Sequence, residues 1–276
     1  MSRTLTLRPV TPSCGAEVDG FDLSQSLDES EAAGFRRALA DNGVLIFRDQ
    51  EITPEQHKAL AANFGELHLH PAWPRVLEGH PEVMVIHTDK TSTRVAGEDW
   101  HSDVSCDAEP PLGTILYMME VPPTGGDTLF ANTVAAFEAL SPALQRFLEG
   151  LTAVHDGAVY RGRYDDSPSD AEIRTPRSEH PLVTTHPVSG CSALYVNRIF
   201  TTHIAELDRP ESDAILEMLF QHLARQEFQC RLNWEVGTVA FWDNRCTQHY
   251  AIWDYYPHTR HGHRVTITGV APVFRP

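Results

Sequence analysis

The chain has 276 residues and a formal charge of -16 with histidine neutral, a balance that argues against nucleic-acid partners. Hydrophobic residues make up 41%, enough for a sizeable core, and no apolar run approaches the ~20 residues that span a bilayer. The opening MSRTLTLRPVTPSCG lacks the sections of a secretory leader, and the five cysteines form no C-x-x-C pair, so reduced thiols and a cytoplasmic protein are expected.

In chain order, TLTLRPV over 4–10 reads as a strand, and the glycines of GAEVDGFDLS mark a turn. ESEAAGFRRALADNG predicts a helix with Phe35 and Leu39 one turn apart, stopped at Asn42-Gly43. VLIFRD is a short buried strand. In TPEQHKALAANFG, Thr53 is an N-cap, Pro54 the first helical residue, Gln56 the closing partner of a capping box and Gly65 the exit. The β-type runs EVMVIH, GTILYMM and DTLFAN follow, then a second helix start at Ser141 in SPALQRFLEGL. Residues 161–181 are polar and proline-bearing, and an active-site lid over 157–181 is expected. ALYVN, the helix ESDAILEMLFQHLARQ, and the runs FQCRLNW, GTVAFWD and RVTITGV complete the chain. Many short strands with few helices predict a mainly β sandwich or barrel with flanking helices, as one domain over 1–276.

Two His-x-Asp motifs lie fourteen residues apart, His87/Asp89 and His101/Asp103. With fifteen histidines in the chain, chance alone gives about one such motif. Its physical content is that residues i and i+2 of a strand share a face and can reach one ion. The first copy extends the alternation Val83, Val85, His87; the second follows Trp100. Local reasoning barely separates them, and distant partners decide. A non-haem Fe(II) site needs two His and one carboxylate, with open positions for cosubstrate and O2. His249 is available after a strong β run, and Arg260 and Arg264 follow it. Two guanidinium groups near a metal suit a dicarboxylate whose near end chelates iron. His68/His70 and His261/His263 invite a zinc reading, but no thiolate cluster accompanies them.

Trp100-His101-Ser102-Asp103, Gly125-Gly126-Asp127-Thr128, Trp242-Asp243-Asn244-Arg245 and the segment His249 to Arg264 resemble the taurine dioxygenase (TauD/TfdA) family of Fe(II)/2-oxoglutarate dioxygenases. GAEVDGFDLS, FGELHLHP and the blocks THPVSG and LYVNRIFTT extend the likeness nearly end to end. The resemblance implies a double-stranded β-helix (jelly-roll) core, with Fe(II), 2-oxoglutarate and O2 as cofactor and cosubstrates. It implies that His101, Asp103 and His249 are the catalytic metal ligands, because the family's triad histidine follows a Trp. Thr128 and Arg260 then bind the far carboxylate of 2-oxoglutarate, with Arg264 closer to the metal and facing an anionic group of the primary substrate.

By the same resemblance His70, Val104, Cys106 and Phe200 line the substrate site, and Trp73 and Gly97 stand where the taurine enzyme has polar groups for an amine. Their loss shifts the expectation to a small anionic organic substrate with an apolar body: an alkylsulfonate, an alkyl sulfate ester or an aryloxyalkanoate. Hydroxylation with release of succinate and CO2 is expected. No nucleic-acid or membrane partner is expected, and a homo-oligomer, dimer or tetramer, is. The rival is a β-barrel binding protein with a non-redox metal, such as a zinc isomerase or a small-molecule sensor.

Overall fold

The computed structural model describes residues 3–69, 75–95, 97–164 and 175–276, with the backbone alone for 161–164. The largest sheet has eight strands in the order β1 (Thr6–Pro9), β2 (Ala16–Asp19), β3 (Val44–Phe47), β14 (Val239–Asp243), β6 (Gly113–Glu120), β16 (Arg260–Ile267), β5 (His80–Thr88), β4 (Val76–Leu77). Facing it is a three-stranded sheet, β13 (Gln229–Leu232), β7 (Thr128–Asn132), β15 (Thr247–Ala251). Smaller sheets pair β12 (Thr201–Ile204), β8 (Thr152–Asp156) and β9 (Arg177–Pro181), and β10 (Val183–Thr185) with β11 (Ser192–Leu194). Two facing, mostly antiparallel sheets, between which the last four strands β13 to β16 alternate, make the expected jelly-roll core.

The VLIF run of β3 is apolar at every position because both of its faces are covered. Val44 and Ile46 point between the sheets, into a cluster with Phe130, Leu232, Trp234 and Trp242. Leu45 and Phe47 point outward, into a cluster with Phe35, Leu39 and Leu60. The outer cluster is roofed by α1 (Glu29–Asn42) and α2 (Pro54–Ala62), whose capping boxes at Asp28/Glu31 and Thr53/Gln56 fix where each helix enters. Such a cap is worth about 1 kcal/mol. On the far side α3 (Thr133–Glu138), α4 (Pro142–Leu148) and α6 (Arg209–Leu223) enclose a third cluster around Leu182, Leu194 and Leu219.

Some boundaries move. The final strand begins at Arg260, four residues before the apolar run, because its first half alternates inward arginines with outward histidines rather than apolar with polar residues. ALYVN is a strand only to Leu194. The section read as least structured is in part regular: α5 covers Gly157–Tyr164 and β9 covers Arg177–Pro181. Residues 165–174, the centre of the expected lid, lie outside the described residues, as do His70 and Trp73. Among the described residues no helix is long and apolar enough to cross a membrane.

Candidate active site

The second His-x-Asp motif is not a strand pair. His101 makes an isolated bridge to His249 on β15, through His101 N–H to the His249 carbonyl at 3.1 Å and His249 N–H to the His101 carbonyl at 2.8 Å. That backbone pair brings the two rings to 4.0 Å between centroids. Asp103 sits in the turn that follows, and its Oδ1 lies 3.8 Å from His101 Nε2 and 3.6 Å from His249 Nε2. All three are buried, and one ligand atom from each falls within 4.8 Å of the others. The common-face argument fits His87 on β5, whereas loop geometry and a cross-strand partner assemble the second copy.

The carboxylate of Asp103 is fixed from behind. Thr114 Oγ1 on β6 donates to Oδ2 at 2.8 Å, and Trp242 Nε1 on β14 donates to the same oxygen at 3.2 Å. Asn244 Oδ1 accepts from the Asp103 amide at 3.2 Å. Burial pushes the Asp103 carboxyl up, but Arg264, His249 and His101 outweigh it and hold the group well below the usual carboxylate range. Burial also lowers both histidines, most strongly His249, so both rings are neutral near pH 7.

This donor set fits a divalent iron ion. Two neutral imidazoles and one carboxylate are the ligands such an ion takes, and the 3.6 and 3.8 Å gaps are too long for hydrogen bonds. A cation about 2.0–2.2 Å from each atom bridges gaps of this size. The Asp99 carbonyl lies 2.8 Å from His101 Nδ1, which places the ring proton there and leaves the Nε2 lone pair for the metal. Asp103 would contribute Oδ1, the oxygen nearest both histidine Nε2 atoms, since Oδ2 is held by Thr114 and Trp242.

Two arginines reach the same space from one face of β16. Arg264 lies 2.8 Å from Asp103 Oδ1, and its guanidinium carbon is 5.9 Å from the Trp242 ring centroid. Arg260, 5% exposed, has its guanidinium carbon 5.5 Å from the Trp234 ring centroid. Trp234 Nε1 in turn donates to Thr128 Oγ1 at 2.9 Å, leaving the Thr128 hydroxyl proton free to donate. Burial pushes the Arg260 guanidinium down, and among the described residues it has no ion pair. The neighbouring carboxylate, Asp127, is already held by Arg231 at 2.5 Å and Asn233 at 3.0 Å.

The family model described as "Taurine catabolism dioxygenase TauD, TfdA family" matches residues 6–266. The chain belongs to this family. A solved taurine dioxygenase from Burkholderia xenovorans is 38% identical, with TM-score 0.85 over 99% of this chain and 92% of that one. An alpha-ketoglutarate-dependent sulfonate dioxygenase of Saccharomyces cerevisiae is 36% identical over 98% of this chain and 68% of its own length. An alpha-ketoglutarate-dependent sulfate ester dioxygenase of Pseudomonas putida is 33% identical over 98% of this chain and 91% of its own. The protein is an Fe(II)- and 2-oxoglutarate-dependent dioxygenase that uses O2, and the non-redox rival is set aside.

Of the other positions expected in this TauD-type dioxygenase, Gly97, Val104, Cys106 and Phe200 are among the described residues. Gly97 has φ 84°, and a Cβ there would stand 2.9 Å from His101 Cε1. Glycine is therefore required by backbone conformation and by the close approach of a triad ring, besides any effect on the substrate pocket. Val104 has φ 45°, a strained value for a β-branched residue. The surroundings hold it there: the Asp107 amide donates to the Val104 carbonyl at 3.0 Å, and the Ser105 hydroxyl is pinned to His155 Nδ1 at 3.0 Å and Asn197 Nδ2 at 2.8 Å. Val104, Cys106, Ile199 and Phe200 form one buried apolar cluster, with Tyr160 of α5 stacked 5.7 Å from the Phe200 ring. Burial pushes the Cys106 thiol up to about 12, so it is an apolar wall and not a nucleophile.

Several supporting residues escaped sequence reasoning. Trp242 and Asn244 lie in a motif quoted for resemblance alone, and Thr114, Trp234 and His155 carried no local signal. A second group, His186, Asp243 and Cys246, also has metal-ligand composition. It acts as a strut: Val188 and Ser189 amides donate to His186 Nδ1 at 3.3 and 3.1 Å, so Nε2–H donates to Asp243 Oδ2 at 3.0 Å. Arg245 completes Asp243 at 2.8 and 2.6 Å, which fixes the turn that aims Trp242 and Asn244 at Asp103.

Proposed function

We propose that this dioxygenase hydroxylates a small organic anion with an apolar body: an alkylsulfonate, an alkyl sulfate ester or an aryloxyalkanoate. The observation that carries the reading is Arg260, a buried guanidinium that lacks an ion pair among the described residues and shares Trp234 with a Thr128 hydroxyl free to donate. A buried charge is costly unless it is paired, and a ligand carboxylate supplies the pair. Thr128 and Arg260 would hold the far carboxylate of 2-oxoglutarate, while His101, Asp103 and His249 hold iron. Arg264, two face-repeats along the same strand, would turn toward the anionic head of the primary substrate, with His70 and the strained Val104 turn completing the grip. Cys106, Phe200 and Tyr160 then offer the apolar tail a dry wall. The names of the yeast and Pseudomonas relatives, sulfonate and sulfate ester dioxygenases, support this class.

Bound iron and 2-oxoglutarate supply the oxidation: O2 and 2-oxoglutarate become succinate and CO2, one oxygen atom entering succinate and the other becoming a hydroxyl on the substrate. The chain's own residues orient the target C–H bond and exclude water. Hydroxylation at the carbon beside the heteroatom gives an adduct that collapses to a carbonyl compound and the released anion. The test is a panel of sulfonates, alkyl sulfates and aryloxy acids with Fe(II) and 2-oxoglutarate, scored as succinate and carbonyl product. Equal amounts of both are expected for at least one member, and succinate without carbonyl product from every member would sink the reading.

A further inference from the structure

The outer face of β16 holds histidines that the oxidation chemistry leaves unused. Along this strand Arg260, Gly262 and Arg264 point inward, whereas His261, His263, Val265 and Ile267 alternate onto the outer face. Val265 and Ile267 lie under the helical roof with Leu60, and beyond it the row continues as His263 and His261, both half-buried. β5 runs antiparallel beside it, and its register sets His87 directly opposite His261. We propose that His261, with His87 across the strands and His263 along the strand, forms a second divalent transition-metal site, of the Zn2+ or Cu2+ class.

The spacing supports chelation. An imidazole nitrogen sits about 2.0–2.1 Å from zinc, which puts two ring centres about 5 Å apart at a tetrahedral angle. The His87–His261 centroids are 5.4 Å apart and the His261–His263 centroids 5.5 Å. Directly opposed residues on antiparallel strands have side chains close enough to share a ligand. His261 Nδ1 is buried with no hydrogen-bond partner among the described residues. Burial lowers both His261 and His263, with the neighbouring histidines adding to the effect, so the rings are neutral and ready to ligate. Glu120 stands opposite His261 on β6 and Asp89 lies 3.5 Å from His87, two carboxylates set against the one guanidinium of Arg75, which donates to the His87 carbonyl at 3.3 Å. The nitrogens do not converge as those of the iron triad do, so chelation would require the rings of these half-buried residues to rotate. Water completes the shell, which makes this a surface site unlike a four-thiolate structural one. A bound ion would tie β5 to the strand whose other face carries Arg260 and Arg264.

The test is a calorimetric Zn2+ titration of the full-length metal-free protein at pH 7.5. Two equivalents are expected in the wild type. Asp103→Ala should weaken the inner one, and H87N or H261N should weaken the other at least tenfold while leaving the inner intact. A single equivalent in the wild type, or a second one indifferent to both H87N and H261N, overturns the proposal. Carbethoxylation mapped by mass spectrometry gives a readout on unaltered protein. The second equivalent should protect His87 and His261 from diethyl pyrocarbonate, and unchanged labelling of both also overturns it.

Discussion

His87/Asp89 and His101/Asp103 share a spacing and differ in everything around it. Asp89 is about one-third exposed and is held by its own loop: Thr91 donates to Oδ1 from its amide at 2.7 Å and its hydroxyl at 2.6 Å. Asp103 is 3% exposed and is held by β6, β14 and the turn after β14, all remote in sequence. The partner of His87 across the sheet is another histidine, and the partner of His101 is the triad's His249. A metal-ligand motif thus becomes a candidate iron site through what distant strands present to it. Burial contributes as much: it keeps the two imidazoles neutral, while the Arg264 guanidinium and the hydrogen bonds at Asp103 keep the carboxylate ionised.

The comparison breaks most sharply on the two aspartates. Asp103→Ala should abolish iron-dependent succinate formation, whereas Asp89→Ala should leave most of it, with circular dichroism checking the fold. The reverse pattern would mean that the wrong motif holds iron. Next in size is Arg260→Ala, which removes a bidentate charged contact worth roughly 2–4 kcal/mol. The 2-oxoglutarate KM should rise tens to hundreds of fold, at tenfold per 1.4 kcal/mol. An unchanged KM removes Arg260 from the cosubstrate site.

Smaller effects come from the residues that hold each motif. Gly97→Ala forces a Cβ to 2.9 Å from His101 Cε1 at a positive φ that costs about 1–2 kcal/mol for other residues. Gly79, in the β4–β5 turn, has φ 78° with nothing within 4 Å of an added Cβ. Both alanine variants should lose stability, but Gly97→Ala alone should weaken Fe(II) binding, by on the order of tens of fold. Equal iron affinities in anaerobic titration would show that the contact at His101 is absorbed elsewhere. Thr114→Val leaves Asp103 Oδ2 with Trp242 alone and should weaken iron about tenfold. Its outer counterpart, Thr91→Val, should leave iron affinity unchanged.

Legibility in the sequence followed the range of the interaction. The capping box at Thr53 and Gln56 was readable because all its partners lie within four residues. The buried VLIF strand was readable from its composition, since a run apolar at every position needs cover on both faces. Arg260 and Arg264 were visible, but the inward aim of both follows from strand alternation, and the strand's start was hidden because histidines filled its outer face. Thr114, Trp234 and His155 gave no signal at all, because each matters through a contact more than ten residues away. The triad itself rested on resemblance, since its geometry depends on a loop and a bridge that no periodicity encodes.

The last prediction concerns the primary substrate and the pocket beside the inner motif. Gly97 supplies no polar side chain there, and the wall formed by Cys106, Phe200 and Tyr160 is apolar, with the Cys106 thiol kept protonated by burial. A taurine ammonium brought against that wall loses its water and gains no partner from it, at substantial cost. An alkyl or aryl tail in the same place gains about 25 cal/mol for each Å2 buried, so some 60 Å2 offsets a factor of ten. The kcat/KM for succinate formation with an apolar sulfonate, sulfate ester or aryloxy acid should therefore exceed that with taurine by at least about tenfold. Phe200→Ala should narrow the gap by removing part of the wall. Taurine emerging as the best substrate of the panel would show that the pocket holds a polar partner for the amine, and the contrast drawn here between an anion grip and an apolar wall would fall.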